Sequence, residues 1–204
     1  SDAFGINVYK DFLTPHKILV EGLSDKKILA KTISKLKAPF QIGITNGYGS
    51  NILAVASRFK LEEIKSLVIL DDDSTGVENK AKIIKIGDIY STSNVLTIRD
   101  IENGIVNGGT IEDTLGKNFI QSKLKDFWKN KFGEVLSDFE LDATKPFIEQ
   151  IKIHIQRNKP EEDLDKFFEE LKTKISEEFN PTNLDKNFPL LKNLVEKIIE
   201  KLKD

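Results

Sequence analysis

One apolar segment that stops at three aspartates constrains the fold of this chain more than any other feature. Residues Ser66–Leu70 have the sequence SLVIL, and Asp71, Asp72 and Asp73 follow directly. A continuous apolar run of this length is typical of a strand that is buried on both faces. Such strands occur almost only in parallel sheets that helices cover. The segment therefore predicts an α/β fold with the aspartates at the carboxyl end of a central strand.

Strand and helix patterns alternate on both sides of this segment. The other predicted strands are Ile18–Val20, Phe40–Thr45 and Asn94–Ile98, and amphipathic helix patterns separate them. After about residue 115 the pattern is helical only. Its apolar stripes fall within 117–131, 146–156, 164–179 and 191–202. We therefore predict a mostly parallel sheet flanked by helices in residues 1–120, followed by a helical C-terminal extension in residues 121–204.

The composition excludes several kinds of site. The chain has no cysteine, which excludes disulfides, zinc–thiolate sites and cysteine nucleophiles, and its two histidines, His16 and His154, argue against a multi-histidine metal site. Lys and Arg total 31 against 33 acidic residues, so the overall charge does not indicate a nucleic-acid binder, although a local basic face is compatible with it. Without a membrane-spanning apolar run or a signal peptide, we expect a soluble cytoplasmic protein with no membrane contact.

Acidic residues cluster where α/β folds place their ligands, just beyond the carboxyl ends of strands. The clusters are Glu21 with Asp25, the run Asp71–Asp73, and Glu112 with Asp113. Gathered carboxylates repel one another unless a cation lies between them, and Mg²⁺ takes oxygen ligands of this kind. In an extended strand end Asp71 and Asp73 share one side, and Asp72 faces the other. The pattern predicts divalent ions that could activate water for phosphodiester cleavage.

Each cluster also has an explanation that needs no function. Glu21 precedes Gly22 and would serve as a turn residue, and Asp25 would favour the positive end of a helix. Thr110 and Asp113 have the spacing of a capping box. Three successive aspartates after a buried strand are harder to explain by turn chemistry alone. The aspartate run is therefore the strongest sign of a site.

The same motifs resemble the Toprim domain of topoisomerases, primases and small nucleases. ILVEG, followed about fifty residues later by DDDSTG, matches the glutamate and the D-x-D motif of that domain with Glu21 and the pair Asp71 and Asp73. VEGLSD, ITNGYGSNI and GTIEDTL, in this order, are more closely similar to the Toprim domain of the OLD (overcoming lysogenisation defect) family of nucleases. The resemblance covers roughly residues 15–120.

This resemblance implies a Toprim/Rossmann-like sheet and a two-metal DNA endonuclease or nickase that could serve in anti-phage defence. The implied ligands of Mg²⁺ or Mn²⁺ are Glu21, Asp71 and Asp73 for one ion, which are also the implied catalytic residues, and Asp25, Glu112 and Asp113 for a second. DNA is the implied substrate. Family members often carry an ABC-type ATPase, but this chain has no G-x-x-x-x-G-K-[ST] loop, so an ATPase would be another domain or subunit.

The resemblance also implies a basic residue near the site, for which no motif is present. Lys117 and Lys123 are the candidates for it and for contact with nucleic acid. Their segment interleaves lysines with aromatic residues, which is also typical of an amphipathic helix with a solvated basic face. The turn Asn46–Asn51 would lie near the site and could approach a phosphate, although Asn-Gly is first of all a turn signal.

Two other functions compete with a nuclease. One is a non-catalytic Toprim-like module that pairs with an ATPase and uses its helical extension as the working surface. The C-terminal stripes are typical of core-facing helices and would also suit a homo-oligomer. The other is a receiver-like phosphoacceptor domain, which usually needs an acidic pair after its first strand, where this chain has Glu21 alone.

Overall fold

A parallel sheet lies at the centre of residues 14–204, the part of the chain that this computed structural model describes. Its four strands have the order β2-β1-β3-β4, and each neighbouring pair is parallel. The strands are β1 His16–Val20, β2 Ile42–Asn46, β3 Leu67–Leu70 and β4 Val95–Thr97. The predicted mostly parallel α/β sheet is thereby confirmed.

The strand bounds differ from the predicted ones by one or two residues at most ends. The fourth strand is shorter than predicted because Ile98 begins a helix instead of ending the strand. The hydroxyl of Thr97 accepts a hydrogen bond from the amide of Asp100 at 3.2 Å and so caps that helix. Side-chain capping thus overrides the apolar pattern that predicted a strand through Ile98.

Helices connect the strands and make up the rest of the described chain. They are α1 Leu23–Leu36, α2 Ile52–Leu61, α3 Ser74–Ile86, α4 Ile98–Ile101, α5 Lys117–Phe132, α6 Phe147–Asn158, α7 Leu164–Glu178, α8 Leu184–Asn187 and α9 Pro189–Leu202. Two short 3₁₀ helices span Gly49–Asn51 and Ile111–Leu115. The helical C-terminal region predicted from the apolar stripes is therefore present. Across residues 14–204, no helix is both long and apolar enough to cross a membrane.

The two faces of the sheet are covered by different helices. Leu19 and Val68 point to one face and pack with apolar residues of α2 and α3. Ile18 and Ile69 point to the other face, because side chains alternate along a strand, and they pack with α1. The same core continues into α5, α6, α7 and α9, so residues 121–204 share a core with the sheet. The division of the chain at residue 120 stays a prediction.

Candidate active site

The carboxyl edge of the sheet brings the first two acidic clusters together. β1 and β3 are parallel neighbours with Val20 opposite Ile69, so the residues that follow these strands lie side by side. Glu21 follows β1, and Asp25 lies in the first turn of α1. One carboxylate oxygen of Asp25 accepts a hydrogen bond from the amide of Gly22 at 3.0 Å, which holds the side chain at the start of the helix.

Asp71 and Asp73 are fixed by backbone amides at the end of β3. Asp71 is buried, and its Oδ1 accepts a hydrogen bond from the amide of Ile111 at 3.0 Å. Asp73 is the N-cap of α3, and its Oδ1 accepts from the amide of Gly76 at 2.8 Å. A Cβ at Gly76 would lie 1.9 Å from the carbonyl oxygen of Asp71, so this turn needs glycine. Each of these two hydrogen bonds engages only one of the two oxygens of its carboxylate.

Asp72 points away from its two neighbours, as the alternation of an extended strand end predicts. Its carboxylate oxygens accept from the Thr97 hydroxyl at 2.8 Å and from the Gly108 amide at 2.9 Å. It therefore ties β3 to β4 and to the loop before the second 3₁₀ helix. These contacts give Asp72 a structural role and leave Asp71 and Asp73 as the candidate ligands.

Glu112 and Glu21 each present a buried oxygen that the described part of the chain leaves without a hydrogen-bond partner. Glu112 is 1% exposed, and its Oε2 accepts from the Thr110 hydroxyl at 2.6 Å, but its Oε1 has no donor there. The Oε1 of Glu21 is also buried and has no hydrogen-bond partner among the described residues. A buried polar atom without a partner is costly and is uncommon in native proteins. Both atoms are candidates to face a ligand.

Asp113 differs from its neighbour Glu112, because backbone amides occupy both of its carboxylate oxygens. Its Oδ2 accepts from the Thr110 amide at 2.8 Å, and its Oδ1 accepts from the Phe147 amide at 3.0 Å. Burial raises its pKa to about 6. The capping-box explanation thus accounts for Asp113, which also fixes the start of α6. We place it outside the candidate ligands.

The charges of neighbouring carboxylates contribute to raised pKa values of Glu21, Asp25 and Asp71. Burial, followed by repulsion from Asp25 and Asp73, raises the pKa of Glu21 to about 7. Burial and repulsion from Glu112 raise the pKa of Asp25 to about 7 as well. The pKa of Asp71 lies well above its ordinary value, because of burial and of the charges of Asp25 and Glu112. These five carboxylates form one cluster, which we call the acidic cluster.

Lys172 supplies a positive charge to the acidic cluster from the helical C-terminal region. It lies half-buried on α7, and the charges of Glu112, then Asp71 and Asp25, raise its pKa above the ordinary lysine value. α7 is held against α1 because the ammonium of Lys31 donates to the carbonyls of Ser176 at 2.7 Å and of Phe179 at 2.9 Å. Docking of α7 therefore places Lys172 at the cluster.

Lys117 and Lys123 are the basic candidates predicted from the sequence, and Lys172 is not among them. Those two lysines lie on α5 and pair with Glu140 at 2.6 Å and with Glu178 at 3.1 Å. Lys172 follows Leu171 in the apolar stripe of α7 and lies one turn after Phe168, at the border of a buried face. That position is ordinary for a lysine whose stem covers apolar surface, so periodicity alone gave no signal for a site.

The donor atoms of the acidic cluster fit a hard divalent cation. Oxygen ligands from one or two carboxylates for each ion suit Mg²⁺ and Mn²⁺. Glu21 and Glu112 each offer a buried oxygen that has no hydrogen-bond partner in the described part of the chain. Within residues 14–204, no three acidic or histidine side chains lie close enough together to coordinate one metal ion as they stand. Ion binding would therefore require the carboxylates to turn toward a common point.

Fold and cluster together define an α/β protein with acidic residues gathered at the carboxyl edge of a parallel sheet. Two solved structures of the C-terminal region of the OLD protein from Xanthomonas campestris pv. campestris, one phased with mercury and one with iodine, have a similar fold. Their identities to this chain are 13% and 14%, each with a TM-score of 0.50. The alignments cover 94% of this chain and 98% and 97% of theirs. No protein-family model and no curated protein sequence matches this chain.

Proposed function

We propose that this chain is a Toprim-type nuclease related to the OLD family, which hydrolyses phosphodiester bonds of DNA with Mg²⁺ or Mn²⁺. The observation that carries the proposal is the acidic cluster at one edge of the sheet, where Glu21 and Glu112 each have one buried oxygen without a hydrogen-bond partner among residues 14–204. Turns and caps would give such oxygens amide donors, as they do for Asp113. Likeness in fold to the OLD C-terminal region along nearly the whole chain supports the same proposal.

Each carboxylate of the acidic cluster has a proposed role. Glu21, Asp71 and Asp73 would hold one ion, while Asp25 and Glu112 would hold a second. Bound ions of this kind activate water and stabilise the leaving oxygen. The amide of Ile111 on Asp71 and the amide of Gly76 on Asp73 would keep these carboxylates in place during substrate binding.

Lys172 is the proposed basic residue of the site. The surrounding carboxylates keep its ammonium group protonated at neutral pH, because they stabilise the charged form. Lys172 lies on α7, which packs against α1. Its protonated ammonium could donate a hydrogen bond to a non-bridging phosphate oxygen and stabilise the negative charge that develops there. Lys117 and Lys123 are not needed in this role, since both have carboxylate partners on the surface.

Plasmid cleavage tests the proposal. Supercoiled DNA incubated with the protein should be nicked or linearised in Mg²⁺ or Mn²⁺ and stay intact in EDTA. Asp71→Asn and Glu21→Gln should abolish cleavage and keep the fold. Glu78→Gln is a matched control, because Glu78 is an exposed acidic residue on α3 that pairs with Lys82 at 2.6 Å. This variant should cleave like the wild type.

The competing partner-binding module predicts a different result. If the wild type cleaves no DNA and calorimetry detects no binding of Mg²⁺ or Mn²⁺ at millimolar concentration, the nuclease proposal is wrong. Undiminished cleavage by Asp71→Asn would also contradict it. An ATPase supplied by another domain or subunit, and a role in anti-phage defence, belong to the same proposal and depend on its outcome.

A further inference from the structure

Three exposed apolar side chains follow the strands at the carboxyl edge of the sheet, where the acidic cluster also lies. Leu23 begins α1 after β1, Tyr48 lies in the loop after β2, and Val77 lies in the first turn of α3 after β3. Their side chains are 51%, 72% and 50% exposed. Because β2, β1 and β3 are neighbours in the sheet, the three residues follow adjacent strands, and we call them the apolar row.

The loop that carries Tyr48 is tied to the backbone at the acidic cluster. The amide of Gly47 donates to the carbonyl of Val20 at 2.7 Å, and the amide of Gly49 donates to the carbonyl of Glu21 at 2.8 Å. The amide of Tyr48 itself donates to the side-chain oxygen of Asn46 at 3.0 Å. The position of the tyrosine is thus coupled directly to that of Glu21, a candidate metal ligand.

Tyr48 adopts a backbone conformation that a tyrosine rarely takes. Its φ of 51° and ψ of 47° lie in the left-handed region, where glycine, asparagine and aspartate are preferred. The tyrosine ring is the most exposed side chain of the apolar row, so burial of the ring does not offset the backbone strain. The left-handed turn thus leaves the aromatic ring exposed in the loop that is hydrogen-bonded to the backbone of Glu21.

We propose that Tyr48 stacks on an unpaired base next to the scissile phosphate, so that the site takes single-stranded or locally unpaired DNA. This inference rests on the proposed nuclease function and names its substrate more closely. In a duplex the faces of the bases are hidden in the stack, whereas in a single strand they are free to meet an aromatic ring. Leu23 and Val77 would contact the sugar or base of neighbouring nucleotides, while divalent ions held by the acidic cluster would bind the phosphate between them.

Binding of a single-stranded oligonucleotide that carries 2-aminopurine tests this proposal. The full chain is titrated in Ca²⁺, and both anisotropy and quenching of the base fluorescence are recorded. Tyr48→Asn removes the ring and suits the left-handed backbone, so the fold should be kept. We expect this variant to lose quenching and to bind the single strand about tenfold more weakly, with unchanged affinity for the duplex. Tyr48→Phe should behave like the wild type.

A matched control variant and the plasmid assay distinguish failure of the stacking proposal from failure of the nuclease proposal. Leu61→Asn changes an exposed apolar residue at the end of α2, outside the apolar row, and should leave binding unchanged. Equal single-strand affinity and quenching for Tyr48→Asn and the wild type would overturn the stacking proposal even if plasmid is cleaved. Tyr48-dependent quenching without any cleavage in Mg²⁺ or Mn²⁺ would instead support stacking and contradict the nuclease function.

Discussion

Replacing Lys172 with methionine should destabilise the protein much more at pH 8 than at pH 5.5. Methionine keeps an unbranched apolar stem and removes the charge. Lys172 lies among Glu112, Asp71 and Asp25, so the substitution leaves these carboxylates to repel one another in a partly buried place. The cost therefore depends on how many of them are ionised.

The size of the effect follows from burial and from the pKa values of the cluster. Removing one partner of a buried ion pair costs about 3–5 kcal/mol, and since Lys172 is half-buried we expect about 2–3 kcal/mol at pH 8. At pH 5.5 Glu21 and Asp25, each with a pKa of about 7, are largely protonated. Fewer charges are then left unbalanced, and we expect a loss of about 1 kcal/mol from packing.

The raised pKa values of Glu21 and Asp25 set the sign of the pH dependence of stability. A carboxyl whose pKa is higher in the folded protein than in the unfolded chain binds protons more readily when folded. Its contribution to stability is present below the unfolded value and is lost as the pH rises through the folded value. The wild type without divalent ions should thus lose stability between about pH 4 and pH 7, and the substitution should steepen this loss.

Urea denaturation followed by circular dichroism at the two pH values, in EDTA, measures this difference. Lys174→Met is the matched control, since Lys174 lies on the same helix and pairs with Glu178 at 2.6 Å on the surface. The control should lose less than about 1 kcal/mol at both pH values. An equal loss of stability at pH 5.5 and pH 8 for Lys172→Met would refute the electrostatic argument.

Three further predictions concern the metal, the turn and the core. Mg²⁺ or Mn²⁺ should raise the melting temperature of the wild type more at pH 8 than at pH 5.5, because protons compete for the carboxylates, and Asp71→Asn should reduce this rise. Gly76→Ala should cost roughly 2–4 kcal/mol in urea denaturation, because its Cβ would meet the Asp71 carbonyl at 1.9 Å; a loss below about 0.5 kcal/mol would contradict this. Phe167→Ala in α7 should cost about 3–5 kcal/mol, and its melting should remain a single transition if the helical region and the sheet unfold together.

The sequence by itself determined the class of fold and most of the acidic cluster. The apolar run Ser66–Leu70 and the alternation of strand and helix patterns are local features, and both required a parallel sheet. In such a sheet the residues that follow neighbouring strands meet at one edge, which places Glu21 and Asp71 on the same edge. The side of Asp72 likewise followed from strand alternation.

Only the tertiary structure brought the positive charge of Lys172 to the acidic cluster and distinguished the contacts of Asp113 from those of Glu112. Lys172 reaches the cluster because α7 docks on α1, and helical periodicity shows which face of a helix is buried but not which element covers it. Asp113 and Glu112 are adjacent in sequence, yet the start of α6 supplies an amide to Asp113, while one oxygen of Glu112 has no donor in the part of the chain that the structure describes. Such differences depend on contacts between residues far apart in the chain, which local patterns do not encode.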